Sequence, residues 1–177
     1  PHTYYARGHN HYKLKHHEQA LKDLDKAIQM ISNPGFYKLR GDIYIALGQY
    51  KRAIEDYDSS IELDSTNDVA FHNRGYAYGE LGQFESAIEN FDKSLQLDQN
   101  DSNTFKIRGV SYSLIGQYKR AIEDYNKAIA INANFGAAYY LRGITHIHLG
   151  DLTQGQADID KARNLGYTPE LELGDFQ

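Results

Sequence analysis

The 177-residue chain has no cysteine, which removes disulfides, thiolate nucleophiles and Cys-type zinc sites together. It leaves the compartment open, since reducing and oxidising locations both tolerate such a chain. No window approaches the roughly 18 consecutive apolar residues of a spanning helix, so no direct membrane insertion is expected. There is no surplus of positive charge either. The formal net charge is -5, so bulk electrostatics repel a phosphate backbone and argue against nucleic acid. Also missing are an H-E-x-x-H run, a Gly-rich phosphate loop and a G-x-S-x-G elbow. Eight histidines are present, but His9 and His11, like His146 and His148, stand two apart and point about 200° apart on a helix, too far to chelate one ion. His16 and His17 have only Glu18 nearby, and no carboxylate pair stands out for hydrolysis. The expectation is no enzyme, no metal and no cofactor. The chain begins at Pro1 rather than Met, so a leader or further sequence ahead of it remains open. A cytoplasmic location is favoured, with a secreted or periplasmic one open if a leader was removed.

What is there is repetition. The decapeptide GQYKRAIEDY occurs at Gly48–Tyr57 and again at Gly116–Tyr125, 68 positions later. An Arg-Gly pair recurs at Arg7-Gly8, Arg40-Gly41, Arg74-Gly75, Arg108-Gly109 and Arg142-Gly143, in steps of 33, 34, 34 and 34. With that glycine set at repeat position 8, other residues fall into columns. Position 4 is Tyr4, Tyr37, Phe71, Phe105 and Tyr139; position 20 is Ala20, Ala53, Ala87, Ala121 and then Gly155. Position 24 is Leu24, Tyr57, Phe91, Tyr125 and Ile159; position 27 is always small. Apolar positions 4, 14, 17, 21, 24, 28 and 30 lie at helical spacing within two blocks per repeat. Between the blocks stand Gly48, Gly82, Gly116 and Gly150, suited to end a helix in the left-handed conformation, with Lys15 in the first copy. The glycines at position 8 fall in mid-helix, where each loses about 1 kcal/mol to alanine. Close approach of a second helix would account for them.

These columns resemble the tetratricopeptide repeat family, in which aromatics at 4 and 24 and small residues at 8, 20 and 27 mark a 34-residue helix-turn-helix. The resemblance covers about residues 2–167. It departs at position 7, which is Arg here instead of the usual Leu, and in lacking the proline near position 32 in the first four repeats. It implies an all-α chain, an α-solenoid (a right-handed superhelix) of five repeats and ten helices. The single array spans 1–167, with repeats at 1–34, 35–67, 68–101, 102–135 and 136–167, followed by a tail at 168–177. Gly8, Gly41, Gly75, Gly109 and Gly143, with Ala20, Ala53, Ala87 and Ala121, are the structural small residues. Arg40, Arg74, Arg108 and Arg142 form a further structural column. Position 23 is Asp23, Asp56, Asn90, Asp124 and Asp158; either the arginines pair with it in a partly buried ladder, or both columns face water.

In the fifth repeat Gln156 and Arg163 replace the apolar residues of positions 21 and 28, which makes that helix wettable and marks the array's end. Leu171, Leu173 and Phe176 of the tail are expected to lie across it as a partial cap. At the front, His11 and His17 stand where inner repeats carry aromatics, which fits either an atypical first unit or a missing upstream segment.

In the family, first helices line a concave groove through positions 2, 5, 9, 12 and 13. Here the resemblance assigns to it Tyr5, His9, Tyr12 and Lys13; Lys38, Asp42 and Ile45; His72, Tyr76 and Glu80; Lys106 and Val110; and Tyr140, Ile144 and His148. Unlike the core columns, these vary from repeat to repeat, and Tyr, Ile and Val are frequent among them. Tyrosine offers large contact area at low entropic cost. The lysines and histidines make the lining slightly basic, which suits a segment with acidic groups. The pattern by which one subfamily grips a C-terminal carboxylate matches in no window. The expected function is a non-catalytic scaffold binding a peptide or partner-protein segment in that groove. The alternatives are the targeting or regulatory part of a longer enzyme or secretion/assembly protein, and self-association as a homo-oligomer.

Overall fold

The structure, a computed structural model, describes residues 1–169, and among them are ten helices and no strand. They are α1 (His2–Lys13), α2 (His17–Met30), α3 (Pro34–Ala46), α4 (Tyr50–Leu63), α5 (Asp68–Glu80), α6 (Phe84–Leu97), α7 (Ser102–Leu114), α8 (Tyr118–Ile131), α9 (Gly136–His148) and α10 (Leu152–Asn164). Two compact units divide them: a first from Pro1 to Gln99 holding α1–α6, and a second from Asn100 holding α7–α10. Within each, helices pair as successive hairpins.

Each hairpin turn is made the same way. The amide of position 16 donates to the carbonyl of position 11, as in Gln49 to Tyr44 (2.8 Å), while that of position 15 donates to position 12, as in Gly48 to Ile45 (2.9 Å). This doubly bonded ending needs a left-handed residue. The glycines supply it at φ 68 to 86°, and Lys15 adopts it at φ 59°. First helices α3, α5 and α7 begin on side-chain caps: Asn33, Asn67 and Asp101 accept from the backbone amide of the second or third helical residue.

The mid-helix glycines are explained by the ring opposite. A Cβ built at Gly41, Gly75 or Gly109 would stand 2.7–2.8 Å from the Tyr57, Phe91 or Tyr125 ring. At Gly143 it would meet the Gly155 carbonyl at 2.8 Å. Gly155 takes alanine's place at position 20 because a Cβ there would lie 2.5 Å from Ile147. Tyr57 and Phe91 are wholly buried, as are Ala20, Ala53, Ala87 and Ala121; burying each ring contributes about 1.5–3 kcal/mol. Neighbouring hairpins share this core: Ala20 and Leu24 of α2 pack on Leu39 and Ile43 of α3.

The apolar columns at positions 14 and 30 are nowhere fully buried, and only Leu81, Ile115 and Leu165 among them are half-buried. Leu14, Leu47, Leu149, Met30, Leu63, Leu97 and Ile131 are exposed, because both positions fall at helix ends, beyond the reach of the next hairpin. Gln156 and Arg163 are exposed as well. Leu171, Leu173 and Phe176 lie outside the described residues.

The arginine and acid columns meet, always within one repeat. Arg7, Arg40, Arg108 and Arg142 each grip the carboxylate of Asp23, Asp56, Asp124 or Asp158 through two nitrogens, at 2.6–2.9 Å. Arg74 bonds Asn90. Arg40 also reaches back to Asp25 of the preceding hairpin, Arg74 to Asp58 and Arg142 to Asn126. Position 7 is therefore polar because it ties three helices together, which the family's usual leucine could do only by packing.

Candidate functional site: the first-helix faces

In the first unit, positions 5, 9, 12 and 13 lie on α1, α3 and α5. Tyr5 stacks between His9 and Phe36, with ring centroids 6.2 and 4.9 Å away. Tyr12, Asp42, Ile45 and Tyr76 converge on one cavity of about 250 Å³, which Tyr57 and Asn73 complete. His72 sets its ring edge-on to Phe91. Lys13 and Glu80 are exposed at the helix ends.

Asp42 is the most heavily bonded residue of this face. Its Oδ1 accepts from the Tyr57 hydroxyl at 2.8 Å and the Asn73 amide at 2.9 Å, and its Oδ2 accepts from Lys38 Nζ at 2.9 Å. The Tyr57 ring reaches that point by passing beneath Gly41. At the rim, Glu80 accepts from the Tyr50 hydroxyl at 2.9 Å, and its charge helps raise the Tyr76 phenol. Burial pushes the Tyr12, Tyr57 and Tyr76 phenols above their usual range; Asp42 adds to this at the first two and Glu80 at the third. The lining expected to be slightly basic is therefore not so here: Lys38 is tied to Asp42, and the field on the phenols is dominated by carboxylates.

In the second unit, Lys106 and Val110 lie on α7, and Tyr140, Ile144 and His148 on α9. Lys106 Nζ sits over the Phe135 ring, 5.5 Å from its centroid, and makes no hydrogen bond or ion pair among the described residues. Burial holds this ammonium below the usual lysine range, with Asp101 pulling the other way. Val110 and Ile144 are half-buried, and Tyr140 lies against Tyr167 at 5.6 Å. His148 turns away to stack on Tyr118 at 5.7 Å, its Nδ1 on the Ile144 carbonyl. Among the described residues no three His, Asp or Glu side chains gather as a metal site would require.

Two lining residues were not singled out from sequence. Tyr57 belongs to the core column at position 24, and nothing in that column marks where its hydroxyl goes. Asn73 did leave a signal: position 6 reads Ala6, Leu39, Asn73, Ile107 and Leu141, and the one polar member is the cavity residue.

Helical hairpins locked by ring-on-glycine contacts, presenting first-helix faces that differ from repeat to repeat, define a helical repeat protein. The chain belongs to the tetratricopeptide repeat family: models described as "Tetratricopeptide repeat" match residues 1–34, 69–101 and 102–135, and one described as "TPR repeat" matches 41–82. A curated relative, TPR repeat-containing protein MJ1428 of Methanocaldococcus jannaschii, is 34% identical over 58 residues, which span 33% of this chain and 10% of that protein. Among solved structures, a crystal structure of MamA superposes with TM-score 0.87 at 22% identity, covering 90% of this chain and 94% of that one. MamA 41-end from Desulfovibrio magneticus gives 0.88 at 19%, covering 93% of each. YrrB, described as a TPR protein with an unusual peptide-binding site, gives 0.81 at 20%, covering 92% of this chain and 84% of that one. These likenesses establish the fold.

Proposed function

We propose that the protein is a non-catalytic interaction scaffold whose first helices hold a peptide or partner-protein segment in the groove that the family builds. The observation that carries this reading is the contrast between its columns. Position 8 is always glycine, position 20 always small and position 24 always large and apolar because helix packing demands it, whereas positions 5, 9 and 12 mix aromatic, charged, aliphatic and small residues, and Tyr5, Lys38, His72, Lys106 and Tyr140 of position 5 all stay half-buried at the surface. Lys106 strengthens it: a half-buried ammonium without an internal acceptor costs stability, and a carboxylate or carbonyl of a bound segment would supply that acceptor.

Selection of displayed random peptides against the intact chain tests the reading. Enriched peptides are expected to lose at least tenfold in affinity for Tyr76→Ala or Lys106→Ala, and less than twofold for Lys119→Ala on the exposed side of α8. Failure to enrich any peptide, or binding indifferent to both first-helix variants, would overturn it.

A further inference from the structure

The cavity of the first unit has a chemistry more specific than contact area. It measures about 250 Å³, below the range of drug-sized sites and suited to one side chain. Its walls are the phenols of Tyr12 and Tyr76 with Ile45, and Tyr57 and Asn73 close it around the Asp42 carboxylate. Tyr57 and Asn73 fill Oδ1 with neutral donors, which orient the carboxylate without discharging it. Only Lys38, on Oδ2, brings a positive charge, and an ionised carboxylate oxygen accepts more than one donor. Glu80, bonded to Tyr50 and close enough to Tyr76 to raise its phenol, adds a second negative charge at the rim. Two carboxylates against one ammonium leave the cavity one charge negative, between aromatic rings.

We propose that this cavity is a pocket for one basic side chain, a lysine or arginine of the partner segment, whose cation meets Asp42 Oδ2 and the phenol rings. Tyrosine rings attract cations through their quadrupole, more strongly where water is excluded, and the carboxylates add to that attraction. An acidic side chain would be repelled by Asp42 and Glu80, and an apolar one would fill the space without using either charge. Burial raises the Tyr12, Tyr57 and Tyr76 phenols, and the nearby carboxylates, Asp42 at the first two and Glu80 at the third, add to that rise. The proposal rests on the first-helix faces being the binding surface and names what this part of them selects.

The test uses the full chain and four small probes followed by backbone amide NMR: the N-acetyl methylamides of lysine, arginine, norleucine and glutamate. Saturable shifts are expected at Tyr12, Asp42 and Tyr76 with the lysine and arginine probes, with norleucine at least fivefold weaker and glutamate weaker still. Asp42→Asn keeps an oxygen for Tyr57 but removes the charge, and the lysine-over-norleucine preference should fall below twofold. Should that variant fail to fold by circular dichroism, Glu80→Gln at the exposed rim is expected to reduce the preference about twofold. Norleucine or glutamate binding here as tightly as lysine, or basic probes that shift no residue of this cavity, would overturn the pocket. Peptides that bind through Tyr76 without needing a basic residue would also overturn it, while leaving the interaction function standing. Basic-probe binding here with no peptide enriched would do the reverse.

Discussion

Replacing Gly41 by alanine tests whether packing or helix propensity governs position 8. Propensity alone predicts a gain of about 1 kcal/mol, since Gly41 lies in mid-helix. The new methyl would stand 2.8 Å from Tyr57 Cε1, 3.0 Å from Cζ and 3.1 Å from Cδ1, where carbon atoms prefer about 3.5–4.0 Å. The ring has nowhere to go: Tyr57 is wholly buried and its hydroxyl is held by Asp42. Overpacking of this kind costs about 1–3 kcal/mol, occasionally more. Because the ring is held, the upper end of that range applies, and the expected net after the propensity gain is a loss of about 2 kcal/mol. Gly8 provides the internal control, because Leu24 faces it in place of an aromatic and a Cβ there meets its nearest atom at 3.3 Å. Gly8→Ala should stay within about 0.5 kcal/mol of wild type, the propensity gain offsetting a small shift. Urea unfolding followed by circular dichroism reads both as midpoint changes, with the slope checked because repeat arrays lose two-state behaviour easily. Gly41→Ala/Tyr57→Leu, which sets the first repeat's leucine opposite the new methyl, should recover part of the loss. A Gly41→Ala protein as stable as wild type, or a Gly8→Ala protein that loses as much, would refute the ring-on-glycine account.

Arg40→Met should cost about 3–5 kcal/mol, because it strands the Asp56 carboxylate, whose side chain is 6% exposed, and cuts the link to Asp25. A midpoint change under about 1 kcal/mol would show that pairing to be dispensable. Lys15→Gly should stabilise by about 1 kcal/mol by relieving a left-handed lysine, and a lowered melting temperature would contradict the turn geometry. Lys106→Met should be more stable than wild type at neutral pH. Burial holds the Lys106 ammonium below its usual range, so the unfolded chain binds more protons between that folded value and about 10.4, and the wild type gains stability as pH rises through that window. The gap between the two melting temperatures should therefore close toward alkaline pH. A gap that widens, or a destabilised variant, would show that the ammonium is satisfied within the fold.

What could be read from the sequence was whatever packing forces every repeat to share. The 34-residue step, the left-handed turn, the glycine under an aromatic and the arginine facing an acid each recur because the same interface recurs, so one chain holds several observations of each. The apolar residues of positions 14 and 30 misled for the same reason: they recur as regularly as core positions, and only their place at helix ends shows why they stay wet. The cavity was half legible. Tyr12, Asp42, Ile45 and Tyr76 followed from their repeat positions, but Lys38, counted toward a slightly basic lining, is held by Asp42 four residues on, a pairing that column positions alone do not reveal.

The duplicated decapeptide shows where the functional information lies. Tyr57 and Tyr125 close identical ten-residue stretches, both are buried, and both press on a glycine of their own first helix. Yet the Tyr57 hydroxyl donates a hydrogen bond to Asp42 at the floor of a cavity, whereas Tyr125 meets no carboxylate of its own first helix, where Val110 stands in place of Asp42. The difference comes from first helices alone: where the second repeat places Asp42 at position 9, the fourth places Val110, and Asn73 has Leu141 as its counterpart. Second helices supply a constant floor, and substitutions on the first helices decide whether that floor becomes a polar pocket or remains core. A chain built this way can change what it binds by mutating first-helix faces without touching the contacts that hold it together. Exchanging Asp42 and Asn73 for valine and leucine should therefore abolish the lysine-probe preference and cost about 1–3 kcal/mol in urea unfolding, the cost of leaving the buried Tyr57 hydroxyl without its acceptor, while the chain still folds. Loss of the fold in that double variant would mean that Asp42 holds the hairpins together, and that floor and pocket cannot be separated.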